Sequence, residues 1–281
     1  MRLSQVSLRF LPAFLIIASC ALSAAAQTPQ TSTDPCAAPA SATFEVASIH
    51  EMTDVSNRTS MNLGSDQLTA QGVSAFRLLL SAFDLHEFQI ATTLPDWARS
   101  TRYQITAKID PPEPAMKTLG DAEREAVQQR YQQRLRALLT DRFALKCHIE
   151  MKEQPVYELV IAKGGIKMTV TKPDAPRRGS FSSSGNGLKM HAVGTGLTTA
   201  RIAFLASNEV NRIVIDKTGL TSLYDFQVDW VHDTQAASPE NLPDGPSLFT
   251  AIEEQLGLKL VPAKAPVTVL VVDHIERPTE N

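Results

Sequence analysis

The chain predicts an α+β fold of two similar lobes, because its apolar spacing switches repeatedly between a period of two and a period near 3.6. The order of those switches also occurs twice: strand, helix, strand, strand, helix, strand, strand, at an offset of about 120 residues. A repeat of only two units this long points to an internal duplication and two fused lobes, and against a solenoid.

The elements follow in order. "FEVASIH", from Phe44, alternates as a first strand. "QLTAQGVSAFRLLLSAFDL" runs from a short strand through Gly72 into a helix beginning near Ser74, with Phe76, Leu79, Leu80 and Phe83 at helical spacing. "GLKMHAVGTGLTTARIAFLASNEV" repeats this with Leu197, Ile202, Leu205 and Val210. "EFQIA" and "RYQITAKI" are expected as strands after the first helix, "RIVID" and "YDFQVDW" after the second, the later member of each pair built around Tyr103 or Tyr224. Each half then offers a helix and a hairpin. The first turns near Gln154-Pro155; in the second the helix is shorter and the turn falls near Ala265-Pro266. The last strand, "VTVLVVDHI", is apolar at Val267, Val269, Leu270, Val271 and Val272, which reads as a strand covered on both faces.

Around the lobes lie segments of other character. Arg2 and Arg9 precede an apolar run from Phe10 that closes on Ala24 and Ala26, a secretory signal over residues 1–26 with Gln27 as the new N-terminus. The run is short for a bilayer, which needs about 20 apolar residues, so no transmembrane domain is expected in the mature chain. Ile17-Ala18-Ser19 before Cys20 offers an alternative, a lipoprotein anchored through Cys20. Residues 27–43 are a flexible tether of small, polar and proline residues. The first lobe spans residues 44–172, a Gly/Ser/Pro-rich segment residues 173–187, read as a plain linker with a ligand-gripping loop as the alternative, and the second lobe residues 188–281. In an oxidising compartment Cys36 and Cys147 can form one disulfide; two free thiols are the other reading.

Composition, with 43% hydrophobic and 20% charged residues and a formal net charge of -3, gives no electrostatic reason to expect nucleic acid as a partner. Asp216-Lys217-Thr218-Gly219 resembles the phosphorylated loop of cation-pumping ATPases. That chemistry needs an aspartate at the end of a parallel strand, a supporting helix, a second acidic loop for Mg²⁺, and ATP. Here a strand follows instead, and the tetrapeptide reads as a tight turn in which Asp216 accepts backbone hydrogen bonds and Gly219 takes φ > 0.

The histidines His50, His86, His148, His191, His232 and His274 are scattered outside any H-E-x-x-H pattern, and no serine sits in G-x-S-x-G. Glu253-Glu254 and the pair Asp225/Asp229 read as solvated faces and not as a glycosidase pair. No catalytic, cofactor-binding or metal-binding residue is therefore assigned.

"FEVASIH", "LTAQGVSAFRLLLSAF", "LPDWARSTRYQITAK", "LRALLTDRFALKCHIEMKEQPVYELVIAKGG", "VIDKTGLTSLYDFQVDW" and the C-terminal block from Gly245 closely resemble successive blocks of a soil-associated, mainly acidobacterial family of secreted proteins of unknown function. The resemblance covers nearly everything from Phe44 to Asn281. Some relatives are attached to membrane-embedded, antibiotic-sensor-type metallopeptidases, so the resemblance implies an extracytoplasmic sensing role. Its helix-strand-strand units also look like the signalling domains of secretins and TonB-dependent receptors, an analogy of shape.

Two functions follow as expectations. One is a non-enzymatic envelope module that binds a protein, peptide or small ligand between its lobes or at a strand edge. The other is a hydrolase with a site assembled across the lobes. A pocket combining a histidine, an acidic residue and a nucleophile would favour the enzyme, and an uncovered sheet edge or an apolar groove would favour binding.

Overall fold

The structure is a computed structural model that describes residues 36, 42–53, 59–115, 119–172, 179–185, 189–232 and 244–279. The expected signal segment and nearly all of the tether lie outside the described residues.

Two four-stranded sheets share one connectivity. The first holds β1 (Ala47–Glu51), β2 (Ser60–Leu63), β3 (Gln67–Val73) and β4 (Tyr103–Lys108) in the order β1-β4-β3-β2. The second holds β6 (Thr169–Val170), β7 (Ser180–Gly185), β8 (Lys189–Leu197) and β10 (Tyr224–Val231) in the order β6-β10-β8-β7. Each long inner strand runs through a glycine into a helix: Gly72 leads to α1 (Ala75–Phe83) and Gly196 to α4 (Thr199–Val210), both glycines at φ 66°. That backbone favours glycine, and both glycines lie at or next to a register shift in the ladder. The helices begin alike, Ser74 Oγ accepting from Arg77 N–H (3.3 Å) and Thr198 Oγ1 from Arg201 N–H (3.2 Å). They also end alike, on left-handed residues, Asp84 and Asn211.

The third sheet corrects the two expected hairpins. β5 (Lys146–Ile161) and β11 (Leu258–His274) are single long strands paired antiparallel along their whole length, with β9 (Val214–Asp216) parallel to the C-terminal part of β5 at Tyr157–Leu159. Prolines suggested turns because they cannot donate to a ladder. Here Pro155, Pro262 and Pro266 stand opposite Lys264, Tyr157 and Glu153. Tyr157 N–H points away from β11 to Ile213 C=O (2.8 Å), so these pairs share the phase in which neither N–H enters the β5–β11 ladder. The prolines remove no bond from the ribbon and block its edges to further strands.

"EFQIA" is corrected too. It forms a 3₁₀ turn, Glu87–Gln89, with a single bridge from Ile90 to Leu270. Gln89 binds across its own turn and to β11, accepting from His86 N–H (3.0 Å) and donating to Thr268 C=O (2.9 Å).

The ribbon serves two cores. Around the first sheet, Leu270 and Val272 of β11 and Cys147 of β5 pack with α1, α2 (Asp96–Ser100) and α3 (Asp121–Phe143). The apolar stripe of α3 is Tyr131, Leu135, Leu138, Leu139 and Phe143, at helical spacing. Around the second sheet, Leu159 of β5 and Leu258 and Leu260 of β11 pack with α4, the four-residue α5 (Leu248–Ala251) and the five-residue π-helix Ile252–Leu256. Leu159 and Leu258 are fully buried, each contributing about 1.5–3 kcal/mol relative to exposure. Of the expected apolar run, Val267, Val269, Leu270 and Val272 are buried.

Two covalent or ionic ties brace the first core. Cys36 and Cys147 form a disulfide across a sequence separation of 111. Glu113, its side chain 7% exposed, accepts from Arg130 Nη2 (2.7 Å) and Arg134 Nη1 (2.6 Å).

Candidate functional site

The two halves close their cores with helices of unequal length, and a cavity results. α3 lays 23 residues over the first core, whereas α5 and the π-helix lay four and five over the second. Between those short helices, α4 and the second sheet lies a cavity of about 240 Å³. An apolar cavity of about 150 Å³ already suffices for a benzene-sized ligand.

Alternation along β10 supplies one wall, since Phe226, Val228 and Trp230 all face inward. Helical spacing supplies another, from Ile202, Leu205 and Ala206 of α4. Leu248, Ile252 and Leu256 complete it, and the last two stand on the π-helix, a widened turn often found at functional sites. Phe181 of β7 stands at the rim, 38% exposed. The ring of Trp230 lines the cavity, and its indole N–H is buried without a hydrogen-bond partner among the described residues. A buried donor left unpaired carries a cost that an acceptor would relieve.

The stretch expected as a plain linker therefore carries part of this site. Its residues 180–185 form edge strand β7, paired with β8 from Ser180↔Thr195 to Gly185↔Met190. Serine-rich composition hid the strand, and Phe181 was the only apolar signal in it. Residues 173–178 and 186–188 lie outside the described residues.

A second cavity, about 310 Å³, lies between the 3₁₀ segment and α4, and includes Asp84, His86, Ser207 and Asp216. It holds the residue types a hydrolase needs, but not in the required arrangement. Ser207 Oγ donates to Ala203 C=O (2.9 Å) and accepts from Val214 N–H (2.8 Å), which commits it to the backbone. His86 Nδ1–H donates instead to Asn208 Oδ1 (2.8 Å), with its ring 4.1 Å from that of Phe204. Burial lowers the imidazole's pKa against the opposing pull of Asn208 and Asp84. No nucleophile–base pair forms there.

Asp216 does end a parallel strand, as a phosphorylated aspartate would, yet no helix follows it. Its Oδ2 accepts from Thr199 Oγ1 (2.6 Å), while Oδ1 accepts from Thr218 N–H (2.9 Å) and Thr218 Oγ1 (2.7 Å). Burial works to raise the carboxyl, and these hydrogen bonds outweigh it and hold the group below the usual aspartate range. Gly219 follows at φ 70°. The tetrapeptide is the expected turn.

The remaining sequence candidates are dispersed. His50 pairs with Ser48, His148 with Asp273 and Glu150, His191 with Asp229, and His274 with Glu276. His232 Nε2 stands 3.6 Å from Glu209. Asp225 accepts from Thr171 Oγ1 and Gly196 N–H, and so pins the turn into α4. Glu253 pairs with Lys259. Among the described residues no group of three His, Cys, Asp or Glu side chains could hold a metal ion, and no helix is long and apolar enough to cross a membrane.

Fold and site together define an α+β protein with an apolar cavity set between a sheet and two short helices. Residues 77–275, well over half of the chain, match the family described as protein of unknown function (DUF3738), and the chain belongs to that family. No curated protein and no solved structure matches it.

Proposed function

We propose that this chain is a non-enzymatic binding or sensing module of the cell envelope, which takes a small apolar ligand into the cavity of its second sheet. The observation that carries the reading is the cavity itself, about 240 Å³, with an apolar lining. The signal pattern at residues 1–26 supports export, and the Cys36–Cys147 disulfide suits an oxidising compartment. Likeness to soil-associated, mainly acidobacterial secreted proteins fits the same setting. The shared connectivity of the two sheets supports duplication, after which a shortened second helix opened the cavity.

The hydrolase reading draws on the cavity beside His86, but the hydroxyl of Ser207 is held by backbone and gives it little support. The test uses 2-ethylnaphthalene as probe and the intact chain. Binding raises the midpoint of thermal unfolding, by mass action on the folded state. Ala206→Leu, which adds side chain into the cavity wall, abolishes that rise while leaving a cooperative transition. A chain that binds neither this probe nor its charged analogues contradicts the reading.

A further inference from the structure

The charge at the rim of the cavity selects among apolar ligands. Among the described residues, Glu209 is the one ionisable residue in the lining, with no lysine or arginine sharing it. Its side chain is 29% exposed, and its near neighbour is His232 Nε2 at 3.6 Å, too far for a hydrogen bond. Phe181, Phe226 and Trp230 lie in the same lining, and the face of an aromatic ring attracts cations. A carboxylate in a lining shared with aromatic rings repels an anionic head group and complements a cationic one.

Resting on the binding role proposed above, we infer that the ligand is an apolar organic amine, its hydrocarbon body inside the cavity and its ammonium group at Glu209. Among the described residues of the lining, a fatty carboxylate or an organic phosphate finds no cationic partner. A neutral hydrocarbon fills the same space without the ion pair.

Calorimetric titration of the intact chain with naphthalen-2-ylmethylamine, 2-ethylnaphthalene and 2-naphthoate tests this. The amine is expected to bind about tenfold more tightly than the hydrocarbon, as a charge-assisted contact allows, and 2-naphthoate most weakly. Glu209→Gln brings the amine to within about threefold of the hydrocarbon measured on the same variant. Added salt weakens the amine and not the hydrocarbon in the unaltered chain, a readout that needs no variant. Equal binding of amine and hydrocarbon, or tightest binding of 2-naphthoate, overturns the inference and leaves the cavity as a binding site. Failure of all three probes overturns both.

Discussion

Gly219 stands at φ 70° with open space around it, so a side chain there meets no atom and only a strained backbone. Gly219→Val is expected to destabilise by about 1–3 kcal/mol in chemical denaturation. An unchanged midpoint would mean that the turn after β9 has another conformation. Asp216 and Gly219, three residues apart, made this turn legible in the sequence, because each has one strong local preference.

Glu113 was not legible, since its partners come 17 and 21 residues later on α3. The hydrogen bond from Arg130 holds its carboxyl below the usual glutamate range; burial opposes this, and Arg134 adds to the lowering. A depressed carboxyl stabilises the fold above its unfolded pKa, and that contribution is lost as pH falls through the folded value. Thermal midpoints across pH 3 to 7 should therefore fall less steeply for Glu113→Gln than for the unaltered chain. At pH 7 the variant should lose about 3 kcal/mol, because Arg134 is left buried without its anion. Parallel curves would show that Glu113 does not titrate against the fold.

At the scale of elements, local period and capping signals were enough for α1, α4, β4 and β10, whose apolar spacing and Ser74 or Thr198 caps are contained in the segments themselves. The ribbon was not readable in this way. Whether a proline ends a strand depends on which way its nitrogen faces, and that is set by pairing with residues about a hundred positions away. The same argument makes a prediction. Gln154 lies in the phase whose N–H enters the β5–β11 ladder, so Gln154→Pro should cost about 3 kcal/mol or more. Glu153→Pro, with its nitrogen facing away as that of Pro155 does, should cost far less. Equal losses in urea unfolding would refute the assigned phase.

Across the whole molecule, the second site follows from an imbalance that the sequence displayed only in part. The shorter second helix was visible, but its consequence depends on three dimensions: Trp230, Phe226 and Phe181 meet above it only once β7, β8 and β10 align. β5 and β11 carry buried residues of both cores, so the sheet bearing the cavity is anchored to the larger first core through the ribbon. A site built on so fixed a frame should bind with little backbone movement. The most direct measurement is a crystal structure of the intact chain soaked with 2-ethylnaphthalene. The account predicts the probe's density between β10 and α4, in contact with Phe226 and Trp230, with the β5–β11 pairing unaltered. A collapsed cavity filled by the side chains of Leu248 and Leu205, with the probe absent or bound elsewhere, would contradict it.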